Sequence, residues 1–126
     1  MLSIPREFPA LMRADKVQKK ASKVGFDWDS VDGAFQKISE ELEELKEAYI
    51  KGDSENIHEE LGDLLFSVVN VSRFVKVDSE EALTNSTDKF IDRFSKVEKM
   101  AKEQGLDMKN TDLATLDKLW DLAKKE

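Results

Sequence analysis

The sequence predicts an all-α fold, a four-helix-bundle-type domain with an extra short C-terminal helix. Apolar residues recur at alternating spacings of three and four, the period of one helix face at about 100° per residue. Only two prolines and five glycines occur in 126 residues, and charged residues make up 37% against 40% hydrophobic. That balance is the profile of a soluble, mostly helical protein. The length suits one domain with a single core, predicted over residues 1–126.

Residues 1–8 are expected to be an irregular lead-in. Pro9 suits the first turn of a helix running to about Val24, with Leu11, Val17 and Ala21 inward and Gly25 as its stop. Lys16, Lys19, Lys20 and Lys23 make a basic stripe, read as a solvated face. Phe26 and Trp28 follow in a segment rich in Asp and Ser and are expected to pack that loop onto the bundle; ligand contact is the alternative.

A second helix spans about Asp32–Lys51 and ends at Gly52. Phe35, Ile38, Leu42, Leu45 and Tyr49 form its apolar stripe. Asp53 or Ser54 caps a third helix that runs to about Val75. There Leu61, Leu64, Leu65, Val68 and Val75 should face the core, and the apolar run makes this the helix expected to be most buried. Asn70 lies inside that run and needs a partner, a structural hydrogen bond before a ligand. Asp78-x-x-Glu81 has the shape of a capping box and opens a fourth helix with Leu83, Phe90, Phe94, Val97 and Ala101 on its core face. After Gly105 a polar loop leads to a short helix capped by Thr111 or Asp112, with Leu116, Leu119, Trp120 and Ala123 as its apolar side.

Charge and composition narrow the function. A net charge of −7 argues against long nucleic acid as a partner. No run is apolar and long enough to cross a bilayer, so no membrane partner is expected. The absence of cysteine makes the cytoplasm the expected compartment. One histidine and no cysteine leave little material for Ser-His-Asp or Cys-His catalysis. His58 completes one Glu-x-x-His motif, whereas di-iron bundles take two.

The acids are the remaining chemistry. Five fall between Glu40 and Glu47. Glu40, Glu43 and Glu47 point away from the apolar stripe, while Glu41 and Glu44 border it at i, i+3, on one face. Glu60 and Asp63 repeat the spacing on the next helix. Solvated surface charge is the plain reading of any one such pair. Two pairs on antiparallel neighbours would instead gather four carboxylates, a costly arrangement without a cation. Oxygen ligands without thiols favour Mg²⁺ over zinc, with Mn²⁺ as the substitute.

Glu40-Glu41-x-x-Glu44, a gap of fifteen residues, then Glu60-x-x-Asp63 resembles the signature of the all-α nucleoside triphosphate pyrophosphohydrolases. Val24-Gly25-Phe26-Asp27-Trp28, Glu60–Phe66, Val69-Asn70 and Lys89-Phe90-x-x-Arg93-Phe94 resemble the catalytic C-terminal domain of MazG proteins in particular. The resemblance implies Mg²⁺-dependent hydrolysis of ribo- or deoxyribonucleoside triphosphates to monophosphate and pyrophosphate, with nucleotide-pool house-cleaning as the role. It implies Glu41, Glu44, Glu60 and Asp63 as catalytic metal ligands. It also implies Glu40, Lys89, Arg93 and Trp120 as substrate-binding residues, which Lys37, on the same flank as Glu41, would join, and a homodimer that completes the bundle. Asp92 lies between Lys89 and Arg93, where relatives can be more basic. The alternatives are a narrow-specificity relative acting on dUTP, dCTP or phosphoribosyl-ATP, and a non-catalytic helical dimerisation module.

Overall fold

The computed structural model describes residues 2–126, and all regular structure among them is helical. Five α-helices run in order: α1 (Ala10–Lys23), α2 (Val31–Lys51), α3 (Ser54–Phe74), α4 (Ser79–Glu103) and α5 (Leu113–Lys124), with a 3₁₀ turn at Met108–Asn110. The chain forms two compact units, one up to Ala82 and one from Leu83 onward. No helix among the described residues is long and apolar enough to cross a membrane.

In the first unit, α2 and α3 pack along each other and α1 packs on α3. The link between α2 and α3 is only Gly52 and Asp53, so the pair is an antiparallel hairpin. The face of α2 that is buried is the line Ala34, Glu41 and Ala48, spaced seven apart; both alanines are fully buried and Glu41 is 4% exposed. From α3 the buried side chains are Ser67 and Val69. Ser67 Oγ satisfies itself by donating to the Leu64 carbonyl at 2.7 Å.

This packing departs from the expected stripe. Phe35, Leu42 and Tyr49 on α2, Leu61, Leu65 and Val68 on α3, and Val75 just after α3 are exposed. α3 is therefore not the most buried helix within this chain. A helical hairpin buries one face of each member, and here small residues take that face, which lets the backbones approach. The larger apolar side chains are left on the outer faces.

The loop after α1 is held by one guanidinium. Arg73 on α3 donates from both terminal nitrogens to Asp27 (2.8 and 3.2 Å), from Nη2 to Asn70 Oδ1 (2.7 Å) and from Nε to Gln18 Oε1 (3.1 Å). Gln18, buried on α1, completes the set by donating to the Phe66 carbonyl at 3.0 Å. Every polar group in a buried cluster needs such a partner. The guanidinium holds the Asp27 carboxyl below its usual range. Asn70 thus has the structural hydrogen bond expected of it. Trp28 lies against Gly33 of α2, where an added methyl would come within 3.0 Å of the indole. Phe26 does not pack as expected: it is 81% exposed.

In the second unit, α4 and α5 share a core of Val97, Ala101, Leu119 and Ala123, with Met100, Leu106, Leu116 and Trp120 around it. Leu83, Phe90 and Phe94, expected on the core face of α4, are exposed.

Local chemistry sets the helix ends. Aspartates accept from free backbone N–H groups at the starts: Asp53 from Asn56, Asp78 from Glu80 and Glu81, and Asp112 from Thr115. Pro9 stands just before α1 and not within its first turn. Three helices end with paired backbone bonds that reach back three and five residues, closed by Gly25 after α1, Lys76 after α3 and Gly105 after α4. The closing residue must adopt a left-handed conformation, at φ of 89°, 60° and 68° respectively. Glycine does this freely; lysine does not. Lys76→Gly should therefore stabilise the protein by roughly 0.5–1 kcal/mol, read as a higher urea midpoint at an unchanged denaturant slope.

Candidate metal centre

Glu41, on the packing face of α2, and Glu60 and Asp63, one turn apart on α3, converge across the hairpin. Each presents a carboxylate oxygen within 4.8 Å of the others. The burial is graded: Glu41 is buried, Glu60 half-buried and Asp63 exposed, so the cluster opens from the helix interface toward solvent. Ala34 and Ala48 explain how a carboxylate reaches so far in, since they let α2 lie close to α3 one heptad either side of Glu41.

The charges are unevenly compensated. Lys37, one turn before Glu41, places its ammonium 2.9 Å from Glu41 Oε1 and 3.8 Å from Glu40 Oε2. That ion pair holds the Glu41 carboxyl below its usual range although burial opposes it, and it raises the Lys37 ammonium in turn. Glu41 Oε2 and Glu60 Oε2 are both buried with no hydrogen-bond partner. Glu60 is pushed up to about 7 by desolvation, by Glu44 and by Glu41. Two orphaned carboxylate oxygens within one acidic cluster are the kind of group that buried sites do not leave unpaired without reason. An all-oxygen donor set fits a hard divalent ion.

Of the four acids expected to act together, Glu41, Glu60 and Asp63 form the cluster. Glu44 is exposed and lies outside that triad, yet close enough to Glu60 to help raise its pKa. Glu40 is largely in solvent, and Lys37 is engaged with Glu41. The second unit carries Lys89, Arg93 and Trp120. Lys89 is exposed. The Arg93 guanidinium lies 5.9 Å from the centre of the Trp120 ring, which in turn packs on Phe90 at 5.2 Å. Asp92 pairs with Lys96 at 3.3 Å. The Gln18–Arg73–Asp27 network, which fixes the loop against α3, was not anticipated. Its signal in the sequence is faint: a glutamine and an arginine interrupting apolar helix faces.

Carboxylates paired across an all-α hairpin define a class of helical protein with a cluster that could hold a cation, and sequence comparison gives the particular family. The MazG nucleotide pyrophosphohydrolase domain profile matches residues 30–98, more than half of the chain, and the chain belongs to that family. It is 48% identical to the nucleoside triphosphate pyrophosphohydrolase/pyrophosphatase MazG of Thermotoga maritima, over 92% of this chain and 44% of that protein. It is 40% identical to the nucleoside triphosphate pyrophosphohydrolase of Escherichia coli K12, over 98% of this chain and 48% of the relative. An uncharacterized Bacillus subtilis protein, YabN, is 48% identical over 98% of this chain and 25% of its own length. The chain spans about half the length of the first two relatives and a quarter of the third.

The raised pKa of Glu60 has a consequence for stability. Its folded value of about 7 lies above the ordinary carboxylate value of 4.5. The folded state therefore takes up a proton first as pH falls, so the contribution of Glu60 to stability grows from about pH 7 down to pH 4.5 and is least favourable above pH 7. Glu60→Gln removes the charge. In EDTA it should melt higher than the wild type at pH 8, by a margin that shrinks toward pH 5; a margin independent of pH would contradict this account.

Proposed function

We propose that this chain is a Mg²⁺-dependent nucleoside triphosphate pyrophosphohydrolase, in which Glu41, Glu44, Glu60 and Asp63 hold the cation. The observation that carries the reading is the triad Glu41–Glu60–Asp63 with two buried carboxylate oxygens left unpartnered. A bound divalent ion would supply Lewis acidity, offsetting triphosphate charge and acidifying water. Mn²⁺, with the same preference for oxygen ligands, is the expected substitute.

The chain's own residues set the rest. The depth of Glu41 between two alanines limits its freedom, so its carboxylate is positioned before a ligand arrives. Glu60 and Asp63, at i, i+3 on α3, share one face. Water attacks the α-phosphorus, the α–β anhydride bond breaks, and pyrophosphate leaves with the monophosphate as the other product. The choice of α over γ comes from the family and from the names of the Thermotoga maritima and Escherichia coli relatives, both nucleoside triphosphate pyrophosphohydrolases. The family resemblance also brings Glu40, Lys89, Arg93 and Trp120 into the reading as substrate-binding residues, and Lys37 joins them from its place beside Glu41. Arg93 has the forked geometry suited to phosphate oxygens. A house-cleaning role for the nucleotide pool and a cytoplasmic location fit this activity.

Product analysis over a panel of ribo- and deoxyribonucleoside triphosphates tests it. Monophosphate and pyrophosphate should form only with Mg²⁺ or Mn²⁺ present, and Glu41→Gln should lower kcat/KM by on the order of 100-fold or more. Diphosphate and free phosphate as products would overturn the assignment.

The same reading includes a homodimer. Phe35 and Leu42 on α2 and Leu61, Leu65 and Phe66 on α3 are between 39% and 51% exposed. Exposed apolar side chains on adjoining helices support an association site there, and a second copy of this hairpin would offer a matching apolar face. Light scattering at micromolar concentration should return twice the 14.4 kDa chain mass; a monomer would count against the pairing.

A further inference from the structure

Among the described residues Lys37 is the cation that touches the acidic cluster, and its placement has a cost for any metal that binds there. Its Nζ is 2.9 Å from Oε1 of Glu41, the most buried of the three acids, and among the described residues no other ion pair reaches Glu41, Glu60 or Asp63. Glu41 Oε2 meanwhile has no partner at all. A buried carboxylate without countercharge is strongly disfavoured, so in the metal-free protein the ammonium is what keeps Glu41 folded inward and charged. A positive charge in contact with one ligand also repels a dication approaching the same group. The side chain of Lys37 is 37% exposed against 6% for that of Glu41. The ammonium therefore has solvent to swing into on its flexible four-carbon stem, while the carboxylate does not.

We propose that Lys37 is an exchange cation: it occupies Glu41 in the metal-free state, holds back divalent binding, and gives up the carboxylate when the metal arrives. This rests on the metal-site reading above and refines the role of one residue in it. Lys37 acts through Glu41, as a positioning residue. Once released, its ammonium is free beside the site, and there it becomes available to an anionic ligand. Metal binding thereby prepares the site for triphosphate. A lysine fixed in place would behave differently, because it would keep its ion pair with Glu41 as the metal binds.

The test is a calorimetric or electron-paramagnetic titration of nucleotide-free protein with Mn²⁺. Lys37→Met should bind roughly ten-fold tighter than the wild type, equivalent to about 1.4 kcal/mol, while Lys37→Arg stays within about two-fold. Equal or weaker binding by a folded Lys37→Met, with the wild type binding normally, overturns the exchange and leaves the metal site standing. Absence of Mn²⁺ binding by the wild type overturns the metal site and the exchange together. A second measurement needs no destabilising variant. In wild-type protein labelled at lysine side chains, the Lys37 nuclear magnetic resonance should lose its ion-pair shift as Mg²⁺ saturates the site; a resonance that does not move overturns the proposal.

Discussion

A carboxylate buried in a helix–helix contact is the constraint around which the first unit is arranged. Glu41 lies at the middle of the α2 face that packs on α3, between Ala34 and Ala48. Two small residues bring the backbones close, and that closeness takes Glu41 out of water and puts it beside Glu60 and Asp63. An apolar residue at this position would pack as well or better, since buried charge is weak evidence for stability. The fold accepts a desolvated acid here, partly neutralised by Lys37 and left with one oxygen unsatisfied. Strain of this kind, concentrated in one cluster, is how a binding site differs from a core.

The same choice explains the outer surface. Because small residues serve the contact between α2 and α3, Phe35 and Leu42 of α2 and Leu61, Leu65, Phe66 and Val68 of α3 are left exposed. The hairpin is thus polar along part of its inner seam and apolar on part of its outside, the reverse of an isolated helical pair. Such a unit leaves much of its apolar surface unburied within the chain.

Around the site, hydrogen bonding substitutes for bulk packing. Arg73 ties the loop bearing Asp27 to α3 and satisfies Gln18 and Asn70 at the same time. A planar fork with five donors is suited to several partners at once. Trp28 then rests on Gly33, where only a missing side chain leaves room. The segment between α1 and α2 is thereby held although Phe26 contributes little packing of its own.

Helix number, order and ends were legible in the sequence, as were the pairs Glu41/Glu44 and Glu60/Asp63 on two consecutive helices. These depend on interactions within a few residues: period, aspartate caps, and glycines such as Gly25, Gly52 and Gly105 at positive φ. The family was legible too, through blocks of residues that a profile reads in order. What the sequence concealed was the choice between neighbouring faces. Phe35, Leu42 and Tyr49 have the stronger hydrophobic period, yet Ala34, Glu41 and Ala48 form the contact, because close approach of two backbones favours small residues over large ones. Which acid becomes buried, which one Lys37 claims, and that Glu44 lies outside the triad all follow from that rotation of α2. Pairing of Arg73 with Asp27 and Gln18 spans 46 and 55 residues. Contacts of that range leave no local pattern, so only the tertiary structure could decide them.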